Sequence, residues 1–155
     1  MEHILDNPAW NAMISSNSHL SIGNEAIRYF PEDLSPFAGL KNVNEESLKQ
    51  LFDLLPLGRI VAIVTAGTLH IPSEWKTVHQ ASLLQMTGEN FQYSTDIRTD
   101  IVALQKQHVP QMIALTQLTN PGPFSERTIR FGHYHGIFNS EELIAMAGQR
   151  LHAFT

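Results

Sequence analysis

The sequence contains no cysteine. That excludes disulfides, thiolate nucleophiles and cysteine-based zinc sites together, and it is compatible with the cytoplasm, the expected location. Charge is also scarce: 16% of the residues are Asp, Glu, Lys or Arg, against about 25% in an average soluble domain. Ten basic residues face fifteen acidic ones, for a formal net charge of −5, and no run of Lys or Arg occurs. Nucleic-acid binding needs a basic footprint, so no nucleic-acid partner is expected. Long hydrophobic runs are missing too. The strongest, residues 60–64, is far too short to span a bilayer. The opening Met-Glu-His lacks the basic and apolar segments of a signal peptide, and no membrane partner is expected. The Gly-x-Ser-x-Gly elbow, the Gly-x-x-x-x-Gly-Lys-Ser/Thr phosphate loop and the dinucleotide Gly-x-Gly-x-x-Gly turn are all absent.

What is present suits a folded chain. Its 155 residues are 43% apolar. A chain of this length buries roughly 70% of its unfolded surface and needs no covalent staple. Eight His residues are more than usual, and they titrate near pH ~6.5 when unperturbed.

Asn7-Pro8 predicts a helix entry, with Asn7 as cap and Pro8 at the first helical position. That helix should fail in the Ser15–Ser18 cluster. Short strands follow around a turn at Gly23-Asn24, and Phe30-Pro31 and Ser35-Pro36 impose extended or turn geometry. Residues 45–55 are the clearest helix. Asn44 caps it, Glu45 and Glu46 suit its dipole, and Leu48, Leu51, Phe52 and Leu55 form one apolar stripe. Residues 59–64 read as a strand buried on both faces, 67–78 as a loop, and 80–87 as a second strand. A boundary is placed within residues 88–97. It divides an N-terminal α/β region, 1–95, from a second unit, 96–155.

Beyond it the residues predict a strand over 101–104, then a helix opened by Pro110 and closed by Thr119-Asn120-Pro121-Gly122-Pro123. Residues 124–127 suit one short helical turn. Residues 131–138 suit a strand with Phe131, His133, His135 and Ile137 on one face. The last segment stays open: propensity slightly favours a helix capped by Ser140, and a hairpin leading into a strand over 143–151 fits nearly as well.

Several residue groups bear on chemistry. His133 and His135 are two apart, so on a strand both imidazoles would face one ion. No third ligand lies nearby in sequence, and no metal is expected. Glu141-Glu142 and the Asp96/Asp100 pair are carboxylates at turns and strand ends, the usual place of solvated charges. Two prolines around Gly122 rigidify the loop Pro121-Gly122-Pro123-Phe124, and rigid loops with an aromatic often line clefts.

That loop and its flanks resemble the GNAT-type N-acetyltransferases. The resemblance runs from Asp100-Ile101-Val102-Ala103-Leu104 through His108-Val109-Pro110-Gln111-Met112 and Leu118-Thr119-Asn120-Pro121-Gly122-Pro123-Phe124. It closes at Gly136-Ile137-Phe138 and Leu143–Leu151. Upstream, Asn7-Pro8-Ala9-Trp10 and residues 28–37 are similar to the N-terminal region of one bacterial branch.

The resemblance implies an α+β fold: a mixed, mainly antiparallel sheet with flanking helices, an incomplete GNAT acyltransferase fold preceded by the N-terminal α/β region. It implies helices near 109–118 and 123–128, and strands near 131–138 and 143–151. The implied activity is acetyl transfer from acetyl-CoA, as co-substrate, to the amine of a small molecule. The implied acceptor-side residues are Pro121, Gly122, Pro123, Phe124 and Gln149. No catalytic residue is implied: where the branch commonly has Glu this chain has Gln149, which is no base. Family members hold the acetyl-CoA pyrophosphate on a Gln/Arg-x-x-Gly-x-Gly/Ala loop, and no such pattern occurs in the 155 residues. No cofactor-binding residue is therefore expected in this chain. It is expected to end before that loop and to be inactive alone. The alternative is a non-catalytic module that binds or dimerises through the exposed edge of strand 143–151.

Overall fold

Pro8 fixes a helical φ at a position whose N–H a helix would leave unpaired, and helix α1 (Pro8–Met13) begins there. Asn7 sits at the cap position, yet its side chain makes no capping bond. Its Nδ2 donates to the Leu40 carbonyl at 2.7 Å and ties α1 to the strand beside it. The structure, a computed structural model, describes residues 3–86, 88 and 100–154. The expected boundary at 95/96, along with Asp96, lies outside the described residues.

Strands β1 (Ile22–Gly23), β2 (Ile27–Tyr29) and β3 (Ala38–Leu40) form an antiparallel sheet in that order. Asn24 shapes the β1–β2 turn, its side chain accepting from the amides of Ala26 and Ile27 at 2.9 Å. At Gly39 a Cβ would lie 2.6 Å from the backbone of Trp10, so only glycine lets α1 press this closely on β3.

Helix α2 (Glu45–Leu54) forms as expected. The Asn44 side chain accepts from the Ser47 amide at 2.9 Å, Glu45 pairs with Lys49 one turn on, and Leu48 and Leu51 are buried. Asn44→Ala should cost about 1 kcal/mol of stability, read from the urea midpoint.

Two expected strands do not form. Residues 59–64 make one isolated parallel bridge, Phe37 to Ala62, and Ile60 is 62% exposed. Arg59 explains the placement: its Nη2 donates to the carbonyls of Phe30 and Ser35, which pins the start of the segment against that turn. Only Val61 and Ile63 then reach the apolar cluster beneath. Of residues 80–87, those described (80–86) carry no strand, and Leu84 and Met86 are almost fully exposed.

The second sheet is antiparallel, with order β4 (Ile101–Ala103), β5 (His135–Asn139) and β6 (Glu142–Ala147). The hairpin decides the question left open by propensity: the C-terminal segment is a strand, turned at residues 140–141 with Ser140 at φ 55°. β6 stops at Ala147 rather than 151. Past it the amides of His152 and Phe154 donate to the side chains of Asn17 and Ser15, which draws the chain off the sheet.

Helix α3 (Val109–Thr119) carries Pro110 in its first turn and ends at Asn120, which adopts the left-handed conformation and donates its N–H to the Thr116 carbonyl. The short helix expected near 123–128 is replaced by a 3-10 turn, Thr128–Phe131. Side chains divert the backbone there: the Thr128 hydroxyl accepts from the Ser125 amide and donates to the Leu34 carbonyl. Arg127 also grips Asp33.

One buried apolar cluster draws on both sides of the expected boundary. Ala9, Met13, Leu20, Phe30 and Leu34 pack with Leu104, Val109, Met112, Phe131, Tyr134 and Leu143. The architecture is therefore α+β with two antiparallel sheets and few helices, as expected. No described helix is long and apolar enough to cross a membrane.

Candidate functional site

The loop after α3 opens on three exposed residues, Pro121, Gly122 and Pro123. Gly122 has φ 120°, a conformation that glycine tolerates and side chains resist. Phe124 turns inward and is half-buried. Its ring meets Tyr134 edge to face, with centroids 5.9 Å apart at 87°.

Tyr134 precedes β5, and its carbonyl accepts from the Leu104 amide at 2.8 Å. Its ring also lies against Gly148: a Cβ there would fall 2.1 Å from the ring. Gln149 follows immediately and is half-buried, as is Arg150. Phe124 and the residues around Gln149 thus meet through Tyr134, while residues 121–123 form the exposed rim. Residues 134 and 148, which complete the contact, were not anticipated as site residues. The one sequence signal was Gly148 inside an apolar run, which marks a close approach without naming what approaches.

Tyr134 is 6% exposed, and its hydroxyl is buried with no hydrogen-bond partner. An unpaired buried hydroxyl costs about 1–3 kcal/mol. Burial pushes the phenol above the ordinary value of 10.0, and Arg150, through its positive charge and an approach to the phenol that falls short of full hydrogen-bond geometry, offsets part of that rise. A raised folded-state value means that stability present below pH 10 is lost as pH rises through it. Among the three tyrosines, Tyr134 should ionise late. Phenolate absorbance should show a delayed step above pH ~10 that disappears in Tyr134→Phe.

His133 and His135 do not present a pair to one ion. His133 has φ 56° and lies before β5 begins, so the same-face spacing fails. Its ring packs edge-on against His152 at 5.9 Å instead. Phe131 also lies off the strand, in the 3-10 turn. Among the described residues no group of three or more His, Asp or Glu is placed to hold a metal. Glu141 and Glu142 are exposed at the hairpin.

A pyrophosphate group sits on free N–H groups at a helix N-terminus. Pro8 and Pro110 each remove a donor from the first turns of α1 and α3, and α2 opens with Glu45 and Glu46, which repel anions. None of these three helix starts offers a full set of free donors to an anion. A concavity of about 510 Å³, bounded by His3, Trp10, Lys41 and Phe154 among others, lies elsewhere and shares no residue with the Phe124–Tyr134–Gln149 cluster.

Over 97% of its length the chain superposes, with a TM-score of 0.87 and 31% identity, on the crystal structure of an acetyltransferase assigned to the GNAT family, from Novosphingobium aromaticivorans. The chain has the GNAT-type acetyltransferase fold. It spans 66% of the length of that relative. No protein-family model matches the sequence, and no curated protein does. In the GNAT-type fold of this chain, the acceptor-side residues implied by resemblance fall at one end of the β4–β5–β6 sheet. There the loop after α3 and the end of β6 converge on Tyr134.

Proposed function

We propose that residues 100–154 provide the acceptor side of an N-acetyltransferase that moves acetyl from acetyl-CoA to a small-molecule amine. One observation carries this reading: Phe124 and the residues around Gln149, far apart in sequence, converge on the buried Tyr134 within a GNAT-type fold. The attacking amine must be neutral, and Gln149 takes no proton, so Gln149 serves to orient the acceptor. The cytoplasm, where acetyl-CoA is made and used, is the location that fits a cysteine-free chain.

Calorimetry tests the reading. Primary amines should bind this chain, and acetyl-CoA should not bind in the micromolar range, because the pyrophosphate pattern is not among its residues. Micromolar acetyl-CoA binding would relocate the cofactor side onto these residues. Failure of every amine in a broad panel would contradict the acceptor assignment.

A second reading has its own support. β6 is an edge strand of its sheet, with Ile144 51% exposed and Glu142 its one charged residue. The Leu143 amide donates to the Gln111 side chain at 2.8 Å. An apolar edge invites pairing with a second copy. Sedimentation at rising concentration should then reveal a dimer, which Ile144→Lys would abolish. A strict monomer would count against this module reading.

A further inference from the structure

Helix α1 carries two carboxamides one turn apart. Asn7 stands at its cap position and Asn11 follows four residues on, so both lie on one face. Each is fixed by its nitrogen: Nδ2 of Asn7 donates to the Leu40 carbonyl at 2.7 Å, and Nδ2 of Asn11 to the Ile4 carbonyl at 2.8 Å. A carbonyl only accepts, so the atom that meets it must be the nitrogen, and the oxygen is the atom left over. Among the described residues neither Oδ1 receives a donor, and neither is sealed in the interior. Both residues line the concavity of about 510 Å³, within the range of ~300–1,000 Å³ usual for small-molecule sites.

Lys41 lines the same concavity. It follows the Leu40 carbonyl on which Asn7 is anchored. Among the described residues its ammonium has no ion pair and no hydrogen bond. Phe154 supplies an apolar wall. Its amide donates to the Ser15 hydroxyl at 3.1 Å, which holds it over α1, and its ring is 56% exposed. A smaller hollow of about 330 Å³ shares Asn7 and Lys41 and is bounded by Asp6 as well. Lys41 is the one Lys or Arg that lines either hollow.

We propose that this concavity is a binding site for a small polyhydroxylated carboxylate, of the sugar-acid class. Two fixed carbonyl oxygens one turn apart accept from two hydroxyls. Lys41 takes the carboxylate through a charge-assisted hydrogen bond, and the Phe154 ring covers the C–H face of the ligand. One ammonium balances one negative charge, and Asp6 opposes the second charge of a phosphate ester. A simple amine finds Lys41 repelling it. The site is independent of the acceptor-side reading, since it shares no residue with the Phe124–Tyr134–Gln149 cluster.

Three compounds separate the contributions when titrated calorimetrically into the full chain: D-glucuronate, D-glucose and cyclohexanecarboxylate. D-Glucuronate should bind about tenfold more tightly than D-glucose, which lacks the carboxylate, and than cyclohexanecarboxylate, which lacks the hydroxyls. Lys41→Gln should bring D-glucuronate down to the affinity of D-glucose and leave D-glucose unchanged. Asn11→Ala should weaken both sugars alike and leave cyclohexanecarboxylate unchanged. In NMR spectra D-glucuronate should shift the amides of His3, Asn11 and Asn42, and leave those of Phe124 and Gln149 in place. Equal affinity for all three compounds would overturn the proposal, as would a preference for D-glucuronate that survives Lys41→Gln, or the absence of binding by any of them. An Asn11→Ala protein with a lower Tm and unaltered affinities would reduce Asn11 to a structural role and overturn the assignment. None of these outcomes touches the acceptor-side reading.

Discussion

Phe30→Ala is expected to destabilise the protein by about 3–5 kcal/mol. Phe30 is fully buried. Its ring stands edge to face on Phe131, with centroids 5.0 Å apart at 82°, a geometry worth about 0.5–1.5 kcal/mol beyond area alone. Truncation leaves a cavity beside Phe131 in the cluster that also holds Met13, Leu34 and Met112. The neighbourhood has little freedom to collapse. The Thr128 hydroxyl is fixed to the Leu34 carbonyl, and Arg127 to Asp33. Because that cluster joins the N-terminal region to the second sheet, the loss should appear as one cooperative transition shifted to lower urea. A residual transition at the wild-type midpoint would mean that the two regions fold independently.

Gly148→Ala should cost about 1–3 kcal/mol through overpacking and should also disable the site. The new Cβ would fall 2.1 Å from Cδ1 and 2.2 Å from Cε1 of Tyr134. These are ring atoms, not the far end of a flexible chain, so the whole ring must move. Phe124 already packs against that ring. The expected result is a lower Tm, together with at least a tenfold loss of amine binding. Unchanged binding in a folded Gly148→Ala protein would show that the contact between Tyr134 and Gly148 does not shape the acceptor side.

Local signals made some elements legible in the sequence and left others hidden. Helix α2 was readable because its cap, first-turn carboxylates and apolar stripe all lie within residues 44–55 and need no distant partner. The β5–β6 hairpin was readable from family resemblance, whereas propensity leaned toward a helix. Leu143, Ile144, Ala145 and Met146 suit either state, and it is pairing with β5 that decides. Strand β3 escaped notice because Ala-Gly-Leu carries no strand signal. Its glycine is there for the closeness of Trp10, a tertiary fact. Residues 59–64 misled for the opposite reason: a β-branched run suggests a strand, but Arg59 fixes the segment to a turn 24–29 residues earlier.

The candidate site was half legible. Residues 121–124 and Gln149 were flagged by resemblance, and the structure brings Phe124 and the residues next to Gln149 onto one side chain. Tyr134 stood in the sequence between two His residues that offered a more obvious chemistry. The left-handed turn at His133 removes that chemistry, because it takes the residue out of the alternation the pair required. No spacing rule links residue 134 to residues 124 and 148. The link exists only once β5 and β6 are paired.

The central claim is that the acceptor side lies at Phe124, Tyr134 and Gln149. The most direct test is to map amine binding by backbone NMR on the full chain. Titration with a primary amine should shift the amides of Phe124, Tyr134, Gly148 and Gln149, and leave those of His3, Asn11 and Asn42, around the separate concavity, in place. Shifts confined to that concavity, with the Phe124–Gln149 amides unmoved, would contradict the account.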